Sequence, residues 1–198
     1  MISEELLALY GAEKVHVKKK EVLFEINTLP RYYYQVISGT LKMNNFNEDG
    51  KEFIQGIFSN GDSFGEPPLF GNLFYPAYAE AVEDSEILQL EKSKFFQLLE
   101  EHPESHLKLT QTLASRLHYK ATMAAEISSE KAEHRLLKLI DYFKIHLHKI
   151  SQEEEYLVEL SRQQMADLTG LRVETVIRAV KSLEKKKEIK LQEHKIVR

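Results

Sequence analysis

The chain has 198 residues, of which 42% are hydrophobic, and a formal net charge of −4, so it can bury one large core or two small ones. It contains no cysteine, which excludes a thiolate-ligated cluster or haem and agrees with a reducing compartment. A run of 18 apolar residues and a signal-like leader are both missing, so we expect a cytoplasmic protein without a membrane span.

Residues 15–91 contain short aromatic or β-branched runs that predict β-strands. The runs cover residues 22–24, 33–37, 40–45, 53–58, 78–82 and 87–90. Turn residues such as Gly39, the Asp49-Gly50 pair and Gly65 separate them, as in an antiparallel sandwich or jelly roll. Five rings are expected either in its core or, as the less favoured alternative, around a ligand: Phe64, Phe70, Phe74, Tyr75 and Tyr78.

A long helix is predicted to begin at Pro103 and to run to about Ile127. One stripe on it repeats at alternating spacings of three and four residues: Leu107, Thr110, Ala114, Leu117, Ala121 and Ala124. A second stripe, Leu109, Leu113 and Met123, is better suited to packing on its own chain. The first stripe is then free for a two-fold partner, which predicts a parallel dimer helix. We expect Ser128 and Ser129 to interrupt the helix and to cap the next one, residues 130–148.

The stretch 160–184 is predicted to form two short helices joined by a tight turn. Ser161 is a suitable N-cap for the first helix, in which Met165 and Leu168 share an apolar face around the small Ala166. Gly170 tolerates the left-handed backbone that the turn requires, and Leu171 is expected to follow as a buried plug.

The second helix of this stretch separates two faces. The apolar face consists of Val176, Ala179, Val180 and Leu183, and the other carries Val173, Glu174, Ile177, Arg178 and Lys181. Arginine can bond both acceptors of a guanine edge, a carboxylate can accept from a cytosine amino group, and apolar tips can contact a thymine methyl. The plainer alternative for one pair is an i,i+4 ion pair between Glu174 and Arg178. The whole pattern favours a helix-turn-helix that reads the major groove.

The same run resembles the DNA-binding end of the CRP/FNR family of bacterial transcription regulators. The family pattern is Arg-Gln-x-x-Ala-x-x-x-Gly-x-x-x-Glu-Thr-Val-x-Arg, and this chain supplies it as Arg162, Gln163, Ala166, Gly170, Glu174, Thr175, Val176 and Arg178. The cyclic-AMP receptor branch has arginine before the glutamate. Because this chain has Val173 there, it is more similar to the FNR branch, and a half-site related to TTGA is expected.

The resemblance extends to a cyclic-nucleotide-binding β-roll, carried by ISGTLKM, DGKEFIQGIFSNGDSFGE and AYAEAVEDSEILQL. In that family a Gly-Glu step and a later arginine and serine hold the ribose and cyclic phosphate. Gly65 and Glu66 are present, but Tyr75 and Pro76 stand where the arginine and serine would be. Pro67 and Pro68 also remove backbone N–H groups beside Glu66. The nucleotide site is therefore predicted to be degenerate.

Two further positions belong to this degenerate site by resemblance. Where the family's cyclic-AMP receptors place a threonine and a serine on the long helix to read adenine, this chain has Lys120 and Ala121. A favourable first-turn position is the expected remaining role of Glu66.

Charge is distributed unevenly along the chain. Residues 1–128 contain 12 Lys and Arg against 19 Asp and Glu, whereas residues 129–198 contain 15 against 12. Lys185, Lys186 and Lys187 follow the reading helix, where they are well placed for phosphates. The residues predicted to contact DNA are Arg162, Gln163, Arg172, Val173, Glu174, Thr175, Ile177, Arg178, Lys181, Lys185 and Lys186.

Motifs for catalysis and metal binding are weak. His146 and His148 point in different directions on a helix, His102 precedes the helix that carries His106, and no phosphate loop, nucleophile elbow or paired catalytic carboxylates stand out. We predict no catalytic residue, no metal and no cofactor. The alternative function is a small-molecule-binding or metal-dependent jelly-roll protein with a helical assembly domain.

Together these features predict an α+β protein with an antiparallel β-roll or jelly roll, a long dimerisation helix and a winged helix-turn-helix. The effector domain is expected to span residues 1–128, with the dimer helix at about 104–128, and the DNA-binding domain residues 129–198. The expected partners are double-stranded DNA with an inverted repeat, a second copy of the chain and, for an activator, RNA polymerase.

Overall fold

The computed structural model describes residues 2–128, 131–148 and 150–198. It divides into two compact units, Met1–Thr112 and Leu113–Arg198. Within the described residues, no helix is long and apolar enough to cross a membrane. The predicted cap at Ser129 and the predicted helix start at Glu130 lie outside the described residues.

The first unit is mainly β-structure. It contains α1 (Glu4–Leu9), β1 (Glu13–Val17), β2 (Val22–Phe24), β3 (Tyr32–Ser38), β4 (Leu41–Phe46), β5 (Glu52–Phe58), β6 (Ser63–Phe64), α2 (Glu66–Gly71), β7 (Tyr78–Ala81), β8 (Ser85–Glu91), α3 (Lys92–Glu101) and the start of α4 (Pro103–Ser128). Two four-stranded sheets have the orders β1-β8-β3-β6 and β2-β7-β4-β5, and every described pairing is antiparallel. The predicted jelly roll is confirmed.

Two strands were missing from the prediction, β1 and β6. β1 reads EKVHV, and only Val17 in it is buried, so its hydrophobic content gives little signal. It forms because its backbone pairs with β8 from Glu13 opposite Gln89 to Val17 opposite Ser85. β6 has two residues, which is too short for a periodic pattern.

Aromatic side chains fill the interior of the β-roll. The rings of Tyr34 and Phe64 stack with centroids 5.6 Å apart, and Phe24 stacks on Tyr75 at 3.7 Å. All four side chains are buried, and each contributes about 1.5–3 kcal/mol through removal of apolar surface from water. Rings therefore occupy the space between the sheets.

The second unit contains the rest of α4 and the carboxy-terminal elements. These are α5 (Ala132–Tyr142), a π-helical turn (Phe143–Leu147), β9 (Leu157–Val158), α6 (Arg162–Thr169), α7 (Val173–Lys185), β10 (Lys190–Gln192) and β11 (Lys195–Val197). The three strands form an antiparallel sheet in the order β10-β11-β9. The hairpin of β10 and β11 directly follows α7 and is the wing of a winged helix-turn-helix.

Apolar residues from three helices form the core of the carboxy-terminal elements. The fully or almost fully buried side chains include Leu136, Leu139 and Ile140 of α5, Met165 of α6, and Val176, Val180 and Leu183 of α7. Arg198 adds a polar tie, since its Nε lies 2.8 Å and its Nη2 3.3 Å from the two carboxylate oxygens of Asp141. α7 therefore packs on the core through its apolar face, and its opposite face is exposed to solvent.

Candidate nucleic-acid interface

The first helix of the motif begins with a capping box. Ser161 Oγ accepts from the backbone N–H of Gln164 at 3.1 Å, and Gln164 Oε1 accepts from the N–H of Ser161 at 2.8 Å. Two N–H groups that the helix itself cannot satisfy are thereby paired. The predicted N-cap is confirmed, and the first turn of α6 has a fixed backbone.

The turn between the helices depends on Gly170. Its φ of 69° lies in the left-handed region, and its N–H bonds to the carbonyl of Ala166. A side chain there would meet nothing within 4 Å, so the requirement is conformational and not steric. Leu171 was predicted to be a buried plug, which is wrong: it is half-buried, whereas Met165 and Leu168 of α6 are buried.

Replacing Gly170 by alanine is expected to destabilise the protein by about 1 kcal/mol, the cost of placing an L-residue in the left-handed region. Asparagine should cost less because it tolerates this conformation. Denaturant unfolding of the two variants and the wild type measures both effects. An alanine variant as stable as the wild type would show that the turn does not require a left-handed residue.

The second helix, α7, has the two faces that the sequence predicts. Its buried side chains are Val176, Ala179, Val180 and Leu183. Glu174, Ile177, Arg178 and Lys181 are exposed, whereas Val173 is half-buried. Ile177 leaves 41% of its surface exposed and so adds an apolar tip to this face.

The exposed face of α7 offers polar groups with few internal partners. Arg178 Nη2 lies 3.5 Å from Thr175 Oγ1, and within the described residues it forms no ion pair with Glu174. The alternative of an i,i+4 ion pair is therefore not what this structure contains. Both charged groups can bond to an outside partner without first breaking an ion pair.

The basic residues around α7 fall into two groups. Arg172, Lys181 and Lys185 are exposed and form no ion pair within the described part of the chain. Lys186 instead donates to the carboxylate of Glu133 on α5. This hydrogen bond, with a smaller one from Ser182, holds the pKa of Glu133 below its usual range. Lys186 thus ties α7 to α5, which the sequence pattern did not reveal.

Arg162 and Gln163, at the start of α6, both have partners inside the protein. Arg162 Nη2 donates to the backbone carbonyl of His194 in the wing at 3.1 Å, and burial lowers the pKa of its guanidinium. Gln163 Nε2 donates to Asp167 Oδ1 at 2.8 Å. Sequence reasoning missed the wing residues His194 and Lys195, because their proximity to α6 is a tertiary contact across about thirty residues.

The Gly-Glu step of the β-roll forms the start of α2. Gly65 is the N-cap with φ 74°, and a Cβ there would lie 3.2 Å from the rings of Phe24 and Tyr75. Glu66 occupies the first turn, as expected, and is 1% exposed. Its carboxylate accepts from Ser63 Oγ. This glycine is therefore required both by its backbone conformation and by close packing.

Tyr75 lies within the core, 2% exposed and stacked on Phe24. Its hydroxyl is buried without a hydrogen-bond partner among the described residues, and burial raises its pKa. Pro76 is exposed, and its carbonyl accepts from Asn45 Nδ2 at 2.7 Å. Lys120 and Ala121 are exposed on α4.

The expectation that all five aromatic rings are core residues is wrong for Phe70 and Phe74. Phe64 and Tyr75 are buried and Tyr78 is half-buried, but Phe70 is 40% and Phe74 58% exposed. α2 has only six residues, of which Glu66, Pro68 and Leu69 are buried. Phe70 lies near the end of α2, where its ring contacts Phe96 edge to face, and Phe74 follows the helix.

The two predicted stripes of α4 differ in burial. Leu109 and Met123 are buried and Leu113 is half-buried, as expected for the stripe that packs on its own chain. All six residues of the other stripe are exposed: Leu107, Thr110, Ala114, Leu117, Ala121 and Ala124. Leu107 and Leu117 expose 59% and 69% of their surface. The stripe formed by these six exposed residues is called the α4 seam below.

Residues 2–128, 131–148 and 150–198 contain no group of three or more His, Cys, Asp or Glu side chains that could hold a metal ion. The side chain of His146 lies outside this description.

Comparison with known proteins gives two family matches and a set of relatives. Residues 14–102 match the cyclic nucleotide-binding domain family, and residues 132–198 match the Crp-like helix-turn-helix domain family. The chain is 28% identical to the cAMP-activated global transcriptional regulator CRP of Pasteurella multocida, over 85% of this chain and 83% of that protein. It is 25% identical to the fumarate and nitrate reduction regulatory protein of Yersinia pestis, over 87% and 69%.

Solved structures share the fold. FixK2 from Bradyrhizobium japonicum superposes with a TM-score of 0.75 at 21% identity, covering 94% of this chain and 91% of that chain. The catabolite activator protein of Thermus thermophilus gives a TM-score of 0.58 at 24% identity, covering 98% and 90%.

Proposed function

The chain belongs to the CRP/FNR family of DNA-binding transcription regulators, and from that premise we propose that the exposed face of α7 reads base edges in the major groove. The observation that carries this proposal is the pair of exposed groups, Glu174 and Arg178, that form no ion pair with each other within the described residues. Thr175 and the apolar tips of Val173 and Ile177 complete the reading surface.

Phosphate contacts are assigned to the basic residues that have no internal partner. Lys181 and Lys185 are exposed cations on the same side of α7 as the reading residues, and Arg172, at the N-cap of α7, is also exposed. Gln163 is bonded to Asp167 but remains exposed, so it also stays among the proposed contacts. Lys186 can add its positive charge to the DNA-facing surface, although its ammonium already forms an ion pair with Glu133.

We further propose that the protein acts as a homodimer that pairs through the α4 seam and binds an inverted repeat. Two exposed leucines and four small residues on one helix face match the requirements of a close parallel contact. The functional boundary is placed at the end of α4, so that residues 1–128 form the effector part and residues 129–198 the DNA-binding part. A catalytic role is not assigned, and an activating output would add RNA polymerase as a partner.

Selection of binding sites from random DNA tests the proposed function. The expected result is an enriched inverted repeat with half-sites about one helical turn, ~34–36 Å, or a multiple apart. Metal analysis of the same preparation tests the alternative of a metal-dependent jelly-roll protein. A preparation that carries stoichiometric metal and enriches no sequence would favour that alternative and contradict the reading role of α7.

Cyclic AMP and cyclic GMP are expected to bind weakly or not at all. The anion would have no arginine at Tyr75 and fewer amide donors at Pro67 and Pro68, so its desolvation would not be compensated. Moreover, the Phe24 and Tyr75 rings pack against Gly65, where the ligand would approach.

Calorimetric titration should show no heat of binding up to roughly 1 mM nucleotide, which corresponds to a binding free energy weaker than about −4 kcal/mol. The cAMP-activated relative from Pasteurella multocida is the positive control. Micromolar affinity would contradict the degenerate site.

A further inference from the structure

The wing ends in a two-residue turn whose conformation is unfavourable for its sequence. The register of β10 and β11 pairs Gln192 with Lys195, which leaves Glu193 and His194 as the loop. Their φ angles are 47° and 67°, so both lie in the left-handed region of a type I′ turn. Such turns normally contain Asn-Gly, because L side chains disfavour this backbone. A contact from outside the hairpin would therefore help to hold the turn.

Arg162 supplies such a contact. Its Nη2 donates to the carbonyl of His194, the second loop residue, at 3.1 Å. The guanidinium is half-buried, and it projects from a helix start that the Ser161 and Gln164 capping box fixes. A charged donor at a capped helix start is thus bonded to a backbone carbonyl in the loop of the wing.

The wing tip and α7 face each other across a shallow groove. Its lining includes Ser161, Arg162, Ile177, Lys181, His194 and Lys195. Three of these side chains are cationic, and Ile177 and Lys181 belong to the reading face of α7. A duplex whose bases contact α7 would bring its phosphates towards Lys195, provided that the wing keeps this position.

We propose that Arg162 is a positioning residue, which holds the wing so that Lys195 meets a phosphate beside the base pairs that α7 reads. This inference rests on the proposed reading function of α7. In this proposal Arg162 acts by holding the wing and does not itself contact DNA. Gln163, its neighbour on α6, is bonded within its own helix and has no such role.

The first test needs no DNA. Hydrogen exchange of the backbone amides of residues 190–197 is followed by NMR in the full chain, for the wild type, Arg162→Met and the control Glu159→Gln. Glu159 lines the same groove but has no hydrogen bond to the wing within the described residues. Arg162→Met should accelerate exchange in the wing about threefold to tenfold and leave α7 unchanged, whereas Glu159→Gln should change neither. Unchanged exchange in the wing of Arg162→Met would overturn the positioning role.

The second test is a double-mutant cycle on the DNA that the wild type selects, at fixed salt. Lys195→Ala should weaken binding about fivefold in the wild type and less than twofold in Arg162→Met, because the wing is already displaced there. Equal losses in the two backgrounds would show that Arg162 acts on DNA independently of the wing. No loss in either background would remove Lys195 from the interface. If the wild type selects no sequence, the reading function fails, and the exchange experiment still decides whether Arg162 holds the wing.

Discussion

Replacing Ala114 or Ala121 by glutamate is expected to convert the dimer into monomers and to weaken binding to a two-half-site DNA by ~10²–10⁴-fold. Both alanines lie in the α4 seam and are exposed in the single chain. In a parallel pair of helices the same position of each chain meets across the two-fold axis, so two carboxylates would face each other in a closely packed contact. Their desolvation and repulsion oppose association.

Sedimentation measures the loss of the dimer, and fluorescence anisotropy with one and two half-sites measures its effect on DNA. Ser115→Glu is the matched control, because Ser115 is exposed on α4 beside Ala114 but outside the seam. The control should remain dimeric. The single half-site should bind the Ala114→Glu variant as well as it binds the wild type, because the reading helix is untouched. A dimer that survives both substitutions would place the interface on another surface.

Local chemistry explains why the helix-turn-helix could be predicted closely. Ser161, Gly170 and the apolar stripe of α7 act through backbone bonds and through burial against adjacent elements, and each leaves a pattern within a few residues. The expected first-turn position of Glu66 was confirmed for the same reason. The predicted set of DNA contacts stays a prediction.

Contacts between distant parts of the chain could not be predicted in the same way. Lys186 was expected to contact DNA phosphate, yet its ammonium is paired with Glu133, which lies 53 residues earlier. The hydrogen bond from Arg162 to His194 likewise joins elements that only folding brings together. A run of basic residues therefore predicts the charge of a surface but not which of its side chains are already bonded.

The effector site that is predicted to be degenerate shows a related limit. The sequence predicts the loss of the phosphate-binding arginine at Tyr75, but not where the ring of that tyrosine lies. In the fold it is buried and stacked on Phe24, with its hydroxyl unpaired among the described residues. Phe70 and Phe74 were expected in the core, but both are exposed, Phe70 near the end of α2 and Phe74 just after it. Aromatic composition alone does not distinguish these environments.

Replacing Arg178 by alanine is expected to cost ~1–3 kcal/mol of binding free energy and to relax the preference at one base pair. Arg178 lies one turn beyond Glu174 on the exposed face of α7 and forms no ion pair with it within the described residues, so it can bond both acceptors of a guanine. Glu174 should accept from a cytosine or adenine amino group on the neighbouring step. Val173 and Ile177 should favour thymine methyls. Together with the preferences of Arg178 and Glu174, this predicts a half-site related to TTGA.

Site selection from random DNA, with wild type, Arg178→Ala, Arg178→Lys and Lys185→Ala at one salt concentration, measures these preferences. Arg178→Lys keeps the charge but loses the planar guanidinium that bonds both guanine acceptors. It should therefore bind more tightly than Arg178→Ala, while its preference for guanine is still relaxed. Lys185→Ala should weaken binding to all DNA sequences alike, because Lys185 is exposed and proposed to contact phosphate. It should also reduce the slope of log affinity against log salt concentration by about one. If both Arg178 variants keep the base preferences of the wild type, α7 does not read DNA through this residue. An enriched motif without two-fold symmetry would contradict the paired arrangement of the two reading helices.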